Sequence, residues 1–127
     1  MTLIVPDVAK NNILNEILNR ATIKLKLFSN STTPGSGSTN ASFTEVAGGG
    51  YADVTLVFAS WVVANGIATY PQITFTFSGV TNAPGTIYGY WIVDTADNTF
   101  LWAENLPSTP YTPAAGSTGK ITPRITG

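Results

Sequence analysis

Gln72-Ile73-Thr74-Phe75-Thr76-Phe77 is the stretch that decides the fold class. Ile73, Phe75 and Phe77 recur at every second position, with Thr74 and Thr76 between them. Only a strand, whose side chains point alternately to two faces, turns that period into one apolar and one polar face. The next run outward, Thr86 to Val93, carries Ile87, Tyr88, Tyr90, Trp91, Ile92 and Val93 and is apolar on both faces, as a central strand is. Asp97–Asn98 marks a turn, after which Phe100, Leu101 and Trp102 resume. On the other side, Trp61, Val62 and Val63 lead to a turn at Asn65–Gly66, and Val54 to Phe58 follows Gly48-Gly49-Gly50. Further out, Ile23, Leu25 and Leu27 alternate with Thr22, Lys24, Lys26 and Phe28. The last strand holds Ile121 and Ile125, and Pro123 marks it as an edge or a bulged strand.

About seven short strands without strand–helix alternation predict a mainly β fold, an antiparallel β-sandwich, with a small barrel as the second solution. One short N-terminal helix precedes them. Pro6 and Asp7 supply its start, with Asp7 able to cap it, and Leu14, Ile17, Leu18 and Ala21 form a stripe at three- and four-residue spacing. Arg20 is placed in the last turn, where it favours the negative helix end. A stripe this short is marginal alone and must lie on something. The organisation is therefore residues 1–20 as arm and helix and 21–127 as the sandwich body, one domain overall. Ser29 to Ser42, with Pro34, Gly35 and Gly37, is a long loop without a core-forming pattern.

Composition excludes several function classes. The 127 residues contain no His and no Cys, which removes imidazole and thiol catalysis, disulfides and nearly all zinc chemistry. Six basic and seven acidic residues leave a net charge of -1 without any basic block, so nucleic-acid binding has little to work with. No apolar run is long enough for a membrane span, and Met1 to Val5 lacks the cationic start of a signal peptide. Charged residues make up only 10%, so the surface is neutral and polar, which suits a subunit that meets other protein.

The ordered series of motifs resembles a set of small bacteriophage virion structural proteins. It runs through Leu25-Lys26-Leu27-Phe28-Ser29-Asn30, Phe43-Thr44-Glu45-Val46, Gly48-Gly49-Gly50-Tyr51-Ala52 and Trp61. It continues with Gln72-Ile73-Thr74-Phe75-Thr76-Phe77, Ile87-Tyr88-Gly89-Tyr90-Trp91-Ile92-Val93-Asp94, Leu101-Trp102-Ala103-Glu104 and Lys120-Ile121-Thr122-Pro123. Each motif is only a strand with its turn; their order across residues 21–126 carries the resemblance. It implies a non-enzymatic component of the particle, either a capsid decoration (cement) protein or a small tail or fibre part. The partner it implies is the major capsid protein or another virion component, and the assembly a homo-oligomer, with a trimer favoured. The implied location is the virion, reached after synthesis in the host cytoplasm.

The residues able to carry chemistry have plainer roles open to them. Glu45 and Glu104 are the best carboxylate pair for glycoside hydrolysis, but each also suits a strand end that accepts hydrogen bonds from a turn. Asp94, Asp97 and Asn98 offer oxygen ligands for calcium without the ordered series of a calcium loop, and they are also common turn formers. Gly48-Gly49-Gly50 lacks the following helix and Lys of a phosphate cradle and reads as a bend entering a strand. No metal or cofactor is expected. Trp61, Trp91 and Trp102 read as core, whereas a surface row of aromatic rings would instead make a carbohydrate-binding module of a tail fibre or tail tip. The expected protein interface comprises Thr2, Leu3, Ile4 and Val5 of the arm, Leu14, Ile17 and Leu18 of the helix, and Tyr51 and Tyr111. The loops Ser31–Ser42 and Pro107–Pro113 are expected to add to it.

Overall fold

A computed structural model describes residues 5–82, 85–106 and 110–126. Helix α1 (Asp7–Leu18) precedes β1 (Ile23–Phe28), and a long excursion leads to β2 (Val54–Thr55). Then come β3 (Val62–Ala64), β4 (Ile67–Thr69), β5 (Ile73–Thr76), β6 (Gly89–Asp94), β7 (Thr99–Asn105), β8 (Thr118–Ile121) and β9 (Arg124–Thr126). The fold is mainly β, its strand pairings are antiparallel, and α1 lies where the apolar stripe predicts it. Among the described residues no helix is long and apolar enough to cross a membrane.

One sheet has the order β2-β1-β6-β7. Its centre is β6, every residue of which is buried, as expected of a strand apolar on both faces. Facing it are β3-β4-β9 and β5-β8, two pieces of one bent ribbon. From Thr69↔Arg124 to Ile73↔Ile121 one strand advances four residues and the other three, so one extra residue is accommodated at the join. Pro123 sits at that join; it has no N–H to donate, but its carbonyl accepts from Tyr70 at 3.0 Å. This break divides the expected last strand into β8 and β9. Val54 to Phe58 also pairs less than its apolar run suggests, because a tight 3-10 turn at Phe58–Ser60 begins three residues after Thr55.

Between the two layers lies one apolar cluster. Ile23, Leu25, Leu27, Tyr90 and Ile92 come from the first layer, and Ala68, Ile73, Phe75, Ile121 and Ile125 from the second. Leu14 and Leu18 of α1 join the same cluster by packing the helix over β3 and β4. The β3–β4 hairpin closes through Asn65 and Gly66 with φ of 55° and 75°, the geometry that an Asn-Gly turn selects. Its Gly66 N–H donates to Asn11 Oδ1 at 2.8 Å and ties the helix to the hairpin.

Two details of the helix differ from expectation. Pro6 occupies the cap position with extended backbone, and Asp7 is the first helical residue, without a side-chain capping bond. Arg20 lies beyond the helix end and pairs with Asp94 at 2.8 Å. A carboxylate buried against the chain outcompetes a solvated helix terminus for the guanidinium. Gly48, Gly49 and Gly50 all have left-handed φ, between 62° and 80°. A side chain at Gly49 would lie 2.7 Å from the carbonyl oxygen of Gly79, so the bend needs both the conformation and the space.

The outer face of the first sheet is covered by the excursion after β1. Phe28, Trp91 and Val93 form a second cluster there with Phe43. Phe43 stacks on Trp91 at 5.3 Å and 18°, and its ring centre lies 4.9 Å from that of Phe28. Asn30 pins the base of the loop, donating to the Ser42 carbonyl and accepting from the Thr44 amide, both at 2.8 Å. The long loop is thus a lid on the sheet.

Candidate functional site

The nine residues expected to form an interface do not converge. Thr2, Leu3 and Ile4 lie outside the described residues. Val5 is exposed, and Pro6 beside it is extended at φ -69°, ψ 156°. Leu14 and Leu18 are spent on the chain's own core, and Ile17 is half-buried. The stripe, free in principle to meet either the sandwich or a neighbour, has docked on the sandwich.

Tyr51 is also engaged internally. Strand β2 is too short to cover the edge of β1 beyond Lys24 and Leu25, which leaves Leu27 to find other partners. Its carbonyl accepts from Val46 N–H at 2.9 Å, and its N–H donates to the Tyr51 hydroxyl at 3.1 Å. Tyr51 in turn donates to Glu45 at 2.8 Å. Burial pushes this phenol well above the usual tyrosine range, and the Glu45 carboxylate adds to the shift. Lys26 bridges Glu45 and Asp53 at 3.2 Å each; burial works against its charge, but the two hydrogen bonds outweigh it and its pKa is raised. Tyr111 is half-buried against Phe77, with ring centres 5.8 Å apart, at the wall of a cavity of about 370 Å³.

The carboxylates are held apart. Glu45 bridges to Phe28, and Glu104 pairs with Tyr90 on the far strand of the same sheet. Phe28 belongs to the outer cluster and Tyr90 to the inner one, and residues directly opposite share a face, so the two carboxylates leave the sheet on opposite sides and do not flank one bond as a glycosidase pair does. Asp94 is a buried seam residue. Its carboxylate accepts from the Thr22 hydroxyl, from Arg20 and from the Ala96 amide, and these hold its pKa below the usual carboxylate range. Asp97 accepts from the Thr99 amide and hydroxyl and forms the β6–β7 turn, with Asn98 at φ 59°. Among the described residues no group of three acidic residues is placed to hold a metal ion.

The three Trp residues do not form a surface row. Trp61 is buried edge-on to Tyr70 at 5.0 Å, Trp91 is buried under Phe43, and Trp102 is half-buried. Among the described residues, the large apolar side chains that reach the surface are aliphatic: Val8, Ile13, Val57, Val62 and Val80 each expose more than half of their area.

Sequence reasoning missed one site. A groove of about 680 Å³ runs between the lid loop, from Pro34 to Asn40, and strand β7, from Phe100 to Ala103. Asn40 Nδ2 donates to the Asn98 carbonyl, while Asn40 Oδ1 is buried without a hydrogen-bond partner among the described residues. The available signal was the run Thr99-Phe-Leu-Trp-Ala-Glu-Asn105, a long strand carrying no Lys, Arg or Pro. No family model matches this chain, and neither does any curated protein or solved structure.

Proposed function

We propose that the chain is a bacteriophage virion structural subunit, most concretely a capsid decoration (cement) protein that works by protein–protein contact and without catalysis. The observation that carries the reading is the disposition of large side chains. Trp61 and Trp91 are inside, and the exposed large apolar residues are aliphatic, several of them on α1 and on β3 against which α1 packs. Such a surface binds by apolar and neutral contacts. With charged residues at 10%, ion pairs contribute little, since exposed ones are worth about 0–1 kcal/mol each. A protein that binds the assembled shell and not the loose capsid subunit stabilises the shell by mass action. The phage setting of this reading rests on the resemblance carried by the order of strand motifs across residues 21–126.

Sedimentation with assembled shells and with free capsid subunits tests this. The protein should co-sediment with shells only, raise their melting temperature, and remain bound at about 0.5 M salt, where the Debye length is only a few ångströms. Release by moderate salt, or equal binding to free subunits, sinks the reading. One observation favours a second reading, a carbohydrate-binding module of a tail fibre: the β7 groove is lined by Ser36, Ser38, Thr39, Asn40 and Asn98 beside Trp102. Glycan-array binding that is lost in Trp102→Ala, with no affinity for shells, would establish it instead.

A further inference from the structure

The sheet edges of this molecule are protected unequally. β2 is two residues long and β3 three, and the β8–β9 strand carries Lys120, Pro123 and Arg124. Short length, Lys and Pro are the usual means of stopping an edge from pairing with another chain. β7 has seven residues, one charge and a bulge as its only defences. Leu106 donates to the Tyr88 carbonyl, and backbone groups alternate sides along an antiparallel strand. Glu104 therefore faces β6, while Ala103 and Asn105 present their N–H and C=O groups to the free edge. Among the described residues nothing pairs with them.

We propose that this edge, with the groove beside it, accepts residues 2–5 of a second copy of the chain as an added strand. The proposal deepens the reading of the chain as an assembling subunit and rests on it. Three observations select this occupant. The groove is neutral, floored by Phe100, Leu101 and Trp102 and rimmed by Ser, Thr and Asn, so it suits a segment without charges. Thr2-Leu3-Ile4-Val5 is uncharged, rich in β-branched residues, and plays no part in the helix stripe. Pro6 restricts the residue before it to extended geometry and is itself extended, so the chain leaves α1 in strand direction. The four residues 2–5 span roughly 14 Å when extended, the length of the Trp102–Asn105 stretch. Donor arm and acceptor edge are different surfaces, so one-way donation is a heterologous contact that gives a ring such as a trimer where the rotation closes, and mutual donation gives a two-fold dimer. β-strand addition of this kind draws affinity from backbone hydrogen bonds and specificity from alternate side-chain pockets.

Size-exclusion chromatography with light scattering, together with amide hydrogen exchange, tests the proposal on the full chain, on a variant lacking residues 1–5, on Leu3→Asp and on Asn105→Pro. Pro at 105 removes an outward N–H and no bond within the sheet, so the fold should survive. The full chain should form a closed oligomer in which the Ala103 and Asn105 amides are protected. All three variants should be monomers with near-native melting and at least tenfold faster exchange at Ala103. The free peptide Met-Thr-Leu-Ile-Val-Pro-Asp in excess should restore that protection to the deletion variant. A monomeric full chain overturns the proposal, as does protection independent of concentration, which would mean an arm bound in its own molecule. A dimer that survives the deletion would mean β7 pairing with itself, and protection by oligosaccharide but not peptide would mean a sugar groove; either also overturns it. Shell co-sedimentation of the deletion variant separates the two levels. If the variant still decorates shells, strand exchange can fail while the decoration reading stands.

Discussion

The two faces of the β2-β1-β6-β7 sheet are covered by different means. Its inner face meets a second sheet and a helix, and the contact is mostly aliphatic, contributed by strands of both layers with period two. Its outer face meets one loop, and the contact is aromatic, concentrated in Phe28, Phe43 and Trp91. The inner core is distributed, so no one side chain is its keystone. The outer core is local, and Phe43 is the residue whose ring meets Phe28, Trp91 and Phe100 together. A regular face is closed by regular structure, whereas an irregular lid needs one large anchor and side-chain hydrogen bonds to hold its base.

Leu18→Asp is the strongest test of the inner face. A carboxylate at a site only 1% exposed, without a partner, should cost about 4 kcal/mol or more, read as a fall in the urea midpoint. A loss below about 1 kcal/mol would mean that the helix is not integral to the core. Phe43→Ala should cost about 3 kcal/mol and change the near-ultraviolet circular dichroism of Trp91, because the lid loses its anchor. If stability is unchanged, the outer face is not a second core and the contrast collapses.

Asn30→Ala should be milder, about 1–2 kcal/mol, since it removes two hydrogen bonds to the loop base and leaves Phe43 in place. Faster amide exchange at Thr44, with little change in β6, would show that the loop base opens independently of the inner core. Asp94 sits where β6 ends and should give the smallest effect, visible as pH dependence. Its pKa is depressed in the folded protein, chiefly by Thr22, then by Arg20 and the Ala96 amide. Its stabilisation is therefore complete above the unfolded value of about 3.9 and is lost as pH falls through the lower folded value. The melting curves of wild type and Asp94→Asn should differ at about pH 6 and converge towards about pH 2. Curves that stay parallel through this range would show that the carboxylate charge is not what holds the seam.

Local repetition makes the inner sandwich legible in the sequence itself. Ile73, Phe75 and Phe77 fix a buried face by period alone, Asn65–Gly66 names its hairpin turn, and Leu14 and Leu18 declare a helix that must lie on the sheet. These features depend on neighbours within a few residues, so the chain writes them in its own order. The lid, the Arg20–Asp94 pair and the free edge of β7 depend on residues far apart in sequence. Phe43 has no apolar period around it; it becomes core because β1 and β6 bring Phe28 and Trp91 together beneath it. Arg20 reads as a helix-end charge until the fold places Asp94, 74 positions away, beside it. Tyr51 reads as free until the shortness of β2 leaves the Leu27 amide for its hydroxyl. A strand's own residues state that it is a strand, and two apolar faces mark β6 as central, but that β7 is left with a free edge depends on which partners arrive, and only the assembled sheet decides that.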